Sequence, residues 1–462
     1  MTLRPRRPNA LLARLASHVM DLLRLSAPVV VARSGVMVMA LVDTIMVGRY
    51  AAEELAYLGI GLAPIMPLLL STLGLVMGTL VVTAAAFGRD RPEECGMVWR
   101  RSLPYALCLG GGVAVICAFG ETLLSLLGQS PELARAGGRV VQVLGLGIAP
   151  QLLFVTTTFF LEGIRRPLPG MVAMLAANVL NVALNWVLVY GHFGVPPMGA
   201  LGSAWATTGV RLALGVGLVA YVWMMADHDR FGVRRQPIGG WRSWARQRRI
   251  GYASGVSIGV EALSFSAMNV FAGWLGPYPL AAFAIAMNLL AMLYMAAVGI
   301  GSATAVRVGA AHGRGDAAGV AWAGWTGLGL GTVAMTLFAL GIAMVPESIA
   351  ALYTNDRTLI GVATPVVTLV AWVLIVDGGQ GVMANALRGR GETWVATALY
   401  VVSYLVVMIP LAWLLAFPLA RGVIGLFEGV FIASVLSLAL QAGRFYGLSR
   451  RDHTFLLSGA DR

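Results

Sequence analysis

The stretch GLVMGTLVVTAAAFGR at 74–89 returns as GIGSATAVRVGAAHGR at 299–314, an offset of 225 residues. Gly74, Thr79, Val81, Ala85, Ala86, Gly88 and Arg89 recur as Gly299, Thr304, Val306, Ala310, Ala311, Gly313 and Arg314. Upstream, Leu55, Ala56 and Ile60 recur as Leu280, Ala281 and Ile285. Two apolar helices share Leu, Ala and Val cheaply by chance, but a Gly-Arg pair matched at both exits points to a duplication. Each copy lies in an apolar run of membrane-crossing length, about 20 residues or more. A membrane protein built from two copies of one helical bundle characteristically works by moving the copies about a central site. The repeat therefore points to a transporter before any single residue does.

Composition agrees. Of 462 residues 58% are hydrophobic and only 12% charged, about half the charged share of a soluble domain at roughly 25%. The apolar runs lack the ten-residue alternation of an outer-membrane barrel, so the expected fold class is an all-α polytopic membrane protein. The glycine count of 57 suits close helix packing in lipid. Asp21 and Pro28 interrupt the basic N-terminal region and no small-residue cleavage site follows, so the first apolar run reads as a retained span. Every basic residue is arginine and the net charge is +12; in this context the charge reads as a topology signal and not as a nucleic-acid surface. Cys95, Cys108 and Cys117 have no metal spacing, and no disulfide is expected.

Apolar runs separated by charged or Gly/Pro clusters predict twelve transmembrane helices. They lie near 22–48, 55–86, 98–127, 132–160, 168–190, 199–226, 250–275, 279–311, 317–345, 358–387, 393–416 and 422–446, numbered here as spans 1 to 12. Pro28, Pro64, Pro67, Pro150, Pro365 and Pro410 fall inside spans, where they free carbonyls and permit bends. With both termini on one side, that side collects Arg4, Arg6, Arg7, Arg14 and Arg24, the cluster Arg89 to Arg101, Arg165 and Arg166, and the linker arginines Arg230 to Arg249. Arg307, Arg314, Arg388, Arg390, Arg444, Arg450, Arg451 and Arg462 add to it, while Arg49, Arg135, Arg139, Arg357 and Arg421 remain opposite. Both termini are then expected in the cytoplasm.

The polar segment 227–249 splits the spans six and six. It predicts an N-lobe at 1–226, a cytoplasmic linker, and a C-lobe at 250–462. Trp241 and Trp244 among arginines predict an amphipathic linker stretch on the inner membrane surface. Leu161-Glu162-Gly163 parallels Leu387-Arg388-Gly389, and Gly199-Ala200-Leu201-Gly202 parallels Gly422-Val423-Ile424-Gly425. An even number of spans gives the copies one orientation, with a pseudo-two-fold along the membrane normal.

Three carboxylates lie inside apolar runs: Asp43 in span 1, Glu261 in span 7 and Asp377 in span 10. An acid at mid-helix costs roughly 2.5–3.5 kcal/mol on insertion scales, and binding a proton or a cation relieves that cost. A packing hydrogen bond, or an ion pair with Arg33 or Arg211, is the structural alternative for each. Glu162 and Glu428 read as structural. Asn178, Asn181 and Asn185 share one face of span 5, either as interhelical glue or as the lining of a wet cavity, and Asn288 in span 8 is a weaker case of the same kind. Methionines and aromatics suit an adaptable pocket for flat organic cations. No phosphate loop, histidine metal pair or other enzyme constellation is present in the sequence. An ion gradient is therefore the expected energy source, with no cofactor.

At Leu41-Val42-Asp43-Thr44-Ile45-Met46-Val47-Gly48 the chain resembles the multidrug and toxic compound extrusion (MATE) family. Asn181-Val182-Ala183-Leu184-Asn185-Trp186 with Tyr190-Gly191, Val306-Arg307-Val308-Gly309 and Ala386-Leu387-Arg388-Gly389 resemble further stretches of it. The resemblance covers about residues 20 to 446. It implies two six-helix lobes forming a V-shaped cleft, and export of cationic or amphiphilic drugs in exchange for protons or sodium ions. In the NorM-like branch, Glu261 and Asp377 match the acidic pair of the C-lobe and Asp43 the carboxylate of the N-lobe, with Asn181 and Asn185 beside it. The resemblance thus implies cation coupling at Glu261, Asp377 and Asp43, with a sodium ion at Glu261 and Asp377 as one form of it. Two departures bear on sodium: Val373 stands where that branch often has tyrosine, and Phe283-Ala284 where it usually has a His-Gln pair. A monomer of the bacterial inner membrane is expected. The alternative is a flippase of lipid-linked oligosaccharide on a related scaffold, which would line its cavity with arginines; Arg33 and Arg211 alone speak for it.

Overall fold

The computed structural model describes residues 8–235 and 240–459, with side chains for 15–235, 240 and 242–452. Arg4, Arg6, Arg7, Arg462 and linker residues 236–239 lie outside the described residues, as do the side chains of Arg14 and Trp241. The described residues are helical with no strand. Among the described residues, twelve helices are long and apolar enough to cross a membrane: Leu15–Tyr50, Ala52–Gly88, Pro92–Ala118, Pro131–Gly163, Leu168–Tyr190, Gly199–Met224, Arg242–Trp274, Pro277–Gly313, Ala317–Met344, Arg357–Arg390, Thr393–Ala416 and Gly422–Asp452. They correspond one to one with the expected spans and keep their numbers below.

Span 3 departs most from expectation. It begins at Pro92 with Glu93 and Glu94 in its first turn, an arrangement that suits a helix N-terminus, and it ends at Ala118. The apolar residues after it form a separate short helix, Gly120–Leu126. A Cβ on Gly138 of span 4 would lie 2.6 Å from the Glu121 amide nitrogen, so this helix rests backbone to backbone on span 4. A second short helix, Pro346–Tyr353, follows span 9 at the corresponding place in the other copy.

Prolines act where their missing N–H predicts. Pro150 leaves the Leu146 carbonyl without its helical donor, and span 4 is interrupted at Gly147 between the helices Pro131–Leu146 and Ile148–Gly163. In span 11, the residues before Pro410 form a π-helical segment, Val401–Met408. The wider i→i+5 turn accommodates a proline ring that would collide with the carbonyl four residues back.

The repeat extends to backbone geometry. Gly199 and Gly422 open spans 6 and 12 with φ of +54° and +58°, a region glycine enters without penalty. Their partners Gly202 and Gly425 allow close helix approach. A Cβ would lie 2.5 Å from the Leu188 carbonyl oxygen at the first and 2.8 Å from the Leu415 carbonyl carbon at the second.

The chain divides into two compact units whose boundaries fall inside helices: between Val30 and Val31 in span 1, and between Gly259 and Val260 in span 7. In the unit of 31–259, the first part of span 7 lies against span 2, where a Cβ on Gly74 would meet the Gly255 amide at 2.7 Å. In the other unit, the start of span 1 lies against span 8, where a Cβ on Gly299 would meet the Val30 amide at 2.8 Å. Gly74 and Gly299 are repeat partners, so the two contacts are equivalent. Span 10 is the axis of the second unit, packed by spans 8, 9 and 12, and its residues from Val366 to Gly389 are mostly buried.

Candidate functional site

In the first unit the acid on span 1 meets spans 5 and 6. Asn181 and Asn185, one turn apart and fully buried, donate their amide nitrogens to Asp43 Oδ1 at 3.0 and 2.8 Å. Thr207 of span 6 donates to Asp43 Oδ2 at 2.7 Å. Arg211, one turn further along span 6 and 9% exposed, is an electrostatic partner of Asp43. Three donors and a guanidinium suit an ionised carboxylate, which only accepts. The amide oxygens of Asn181 and Asn185 are buried with no hydrogen bond. Leaving a buried acceptor unpaired costs about 1–3 kcal/mol, so these are the acceptors the cluster still offers. Asn178 stands apart, donating to the Met174 carbonyl of its own helix at 2.9 Å.

The second unit holds Glu261 and Asp377. Asp377 is 3% exposed, and its Oδ1 accepts from Tyr404 Oη at 2.7 Å, Ser434 Oγ at 3.0 Å and Gln380 Nε2 at 3.3 Å. Gln380 Oε1 accepts from Gln441 at 3.5 Å, and Gln441 also donates to Ser437 Oγ at 2.8 Å. The half-buried Glu261 has Asp377 and Arg388 as electrostatic neighbours. No protein hydrogen bond or ion pair reaches Glu261 among the described residues. The Arg388 guanidinium is 5% exposed and lies over the Tyr400 ring at 5.7 Å. Tyr294 of span 8 is an electrostatic neighbour of both acids. A Cβ on Gly381 would meet the Tyr294 hydroxyl at 2.5 Å, so glycine is what lets that hydroxyl lie against span 10.

The remaining candidates are committed elsewhere. Asn288 accepts from Tyr353 at 3.0 Å. Glu428 pairs with Arg421. Glu162, 3% exposed, pairs with Arg33 at 3.5 Å, whose guanidinium lies 5.3 Å from the Phe159 ring centre. The two arginines that spoke for a lipid-precursor flippase are therefore each matched to a carboxylate of their own unit. Among the described residues no group of three His, Cys, Asp or Glu side chains could hold a metal ion.

The sequence reading missed Thr207, Gln380, Tyr404, Ser434 and Gln441, uncharged polar residues inside apolar runs. The arginine tally also did not register burial. Arg101, Arg307 and Arg388, counted as charges of the inner surface, are 7%, 5% and 5% exposed. A tally along the sequence registers charge without direction: Arg307 turns inward to the His18 carbonyl at 2.7 Å and to the His18 ring, and Arg388 to Tyr400.

Comparison with known proteins bears on the family and the fold. The MatE family profile matches residues 28–187 and 254–414. The chain is 38% identical over 450 residues to a probable multidrug resistance protein NorM of Caulobacter vibrioides, covering 97% of this chain and 94% of that protein. It is 29% identical over 446 residues to a probable multidrug resistance protein NorM of Rhizobium meliloti, covering 94% of each. Its fold matches the crystal structure of the eukaryotic MATE transporter AtDTX14 with a TM-score of 0.86 at 18% identity, covering 95% of this chain and 98% of that one. An outward-facing multidrug resistance MATE family transporter gives a TM-score of 0.87 at 19% identity, covering 95% and 97%.

Proposed function

The chain belongs to the multidrug and toxic compound extrusion family, and on that premise we propose that it exports organic cations or other amphiphilic compounds in exchange for protons. It is a multi-pass membrane transporter of twelve helices, not an enzyme. In this reading the N-lobe (1–226) and C-lobe (250–462), joined by the linker 227–249, alternate access to the two sides of a bacterial inner membrane. Both termini are cytoplasmic and the working unit is one chain.

The observation that carries the reading is the asymmetry of the acids. Among the described residues Glu261 has no ion pair and Asp377 has one oxygen without a donor, so both can take up a cation. Asp43 is filled by donors on both oxygens and faces Arg211; its role is a fixed negative charge beside the open amide oxygens of Asn181 and Asn185. Protons are favoured over sodium because Tyr404, Ser434 and Gln380 turn their hydrogens, not their lone pairs, onto Asp377, and a sodium ion there would require them to reorient. Two protons per monovalent cation move one net charge, which adds about 2.3 kcal/mol per 100 mV, roughly fiftyfold in gradient.

Efflux of a fluorescent lipophilic cation from everted vesicles tests this. A proton gradient alone should support transport by the wild type, and Glu261→Gln or Asp377→Asn should reduce it to the level of empty vesicles. Transport that requires sodium would overturn proton coupling. A well-expressed wild type that moves no cation would overturn export and return the flippase to the front.

A further inference from the structure

Asp377 accepts hydrogen bonds at one oxygen only. Tyr404, Ser434 and Gln380 converge on Oδ1, which has two lone pairs for three donors, and no protein donor reaches Oδ2 among the described residues. Each donor is held by its own surroundings. Tyr404 is fully buried in the π-helical segment ahead of Pro410, its ring stacked on Tyr400 at 5.4 Å and beside Phe265 at 6.3 Å. Gln380 Oε1 accepts from Gln441 Nε2 at 3.5 Å, an arrangement that turns the Gln380 nitrogen toward Asp377. Ser434 lies 3.2 Å from the Tyr404 hydroxyl and is fully buried.

We propose that Tyr404, supported by Ser434 and Gln380, is a positioning residue that pins Oδ1 of Asp377, so that the coupling proton is gained and lost at Oδ2 alone. This rests on the reading above that Asp377 carries that proton. Protonation at Oδ1 would displace donors from a crowded oxygen. Protonation at Oδ2 forms one O–H bond and displaces none. Oδ1 then becomes the carbonyl oxygen of a neutral acid and still accepts from the same donors, so the network survives both halves of the cycle. The other ionisable groups facing this acid are Glu261 from span 7, Tyr294 from span 8 and Tyr400 from span 11, and Arg388 of span 10 acts on those three. Span 9 carries none in its sequence. On span 12, Glu428 and Arg444 are paired with Arg421 and Glu392.

Infrared difference spectroscopy of the purified full chain across a pH titration tests the assignment without requiring transport. The carboxylic-acid C=O band that disappears in Asp377→Asn belongs to Asp377. A proton on Oδ2 leaves the C=O at Oδ1, hydrogen-bonded to Tyr404, so Tyr404→Phe should raise the frequency of that band. Ser434→Ala should move it the same way, and it carries the test if the tyrosine variant does not fold. A band at unchanged frequency in the folded variants would mean that the C=O points away from these donors, and would overturn the proposal. If no band titrates in the wild type, Asp377 carries no proton and the proton-coupling reading falls with it, even where efflux itself is intact.

Discussion

Glu162 and Arg388 occupy the same place in the two copies, in Leu161-Glu162-Gly163 and Leu387-Arg388-Gly389. Their partners lie on corresponding spans, Arg33 on span 1 and Glu261 on span 7. Glu261 minus the offset of 225 is Val36, one helical turn from Arg33. Each unit thus carries one acid and one base on corresponding spans with the polarity reversed: Glu162 and Arg388 stand at the same place in their motifs, and Arg33 and Glu261 about one turn apart in the frame. In the first unit the pair is closed, Arg33 to Glu162 at 3.5 Å with the acid 3% exposed. In the second it is open: Arg388 lies over the Tyr400 ring and remains an electrostatic neighbour of Glu261, but no ion pair reaches Glu261 among the described residues. On the proposed reading, this difference is what leaves Glu261 able to exchange an ion while Glu162 is held by its arginine.

The widest separation is therefore expected between Glu261→Gln and Glu162→Gln. The first should abolish proton-driven efflux; the second should leave the pH profile of efflux unchanged and lower thermal stability. Equal loss of transport in both variants would dissolve the comparison. Asp43→Asn should cost about 3–5 kcal/mol, because it leaves the buried Arg211 without its counter-charge. Adding Arg211→Met should recover part of that loss in a thermal melt. Gly202→Ala and Gly425→Ala should each cost about 1–3 kcal/mol by forcing apart helices that touch at the backbone; similar costs at the two sites would show that the frame repeats where the chemistry does not.

The smallest effect is expected at the linker. Arg166 donates to Asp227 at 2.9 Å, and this hydrogen bond holds the Asp227 carboxyl below its ordinary range. A carboxyl with a lowered folded-state pKa adds stability above its unfolded value and loses it as pH falls through the folded one. Both side chains are partly solvated, so Asp227→Asn should cost no more than about 1 kcal/mol, visible in melts near neutral pH and absent in acid.

The sequence made the frame legible because apolar length, glycine motifs and repeat spacing are one-dimensional signals. Asp43, Glu261 and Asp377 were legible because a carboxylate in an apolar run is costly and therefore conspicuous. Their partners were not. Thr207, Ser434 and Tyr404 resemble ordinary helix-packing residues until the fold turns them onto an acid, and Tyr404 reaches Asp377 from a π-helical segment that periodicity does not foresee. The helices Gly120–Leu126 and Pro346–Tyr353 escaped because seven or eight residues carry too little periodicity beside a long span. The inward arginines escaped because charge counting ignores where a side chain points.

The central claim is that the exchangeable proton belongs to the acids of the second unit and not to Asp43. Its most direct test is the proton released when tetraphenylphosphonium is added to purified protein in weakly buffered detergent solution. The account predicts release by the wild type and by Asp43→Asn, and none by Asp377→Asn or Glu261→Gln. Release that persists in both second-unit variants and vanishes in Asp43→Asn would contradict it.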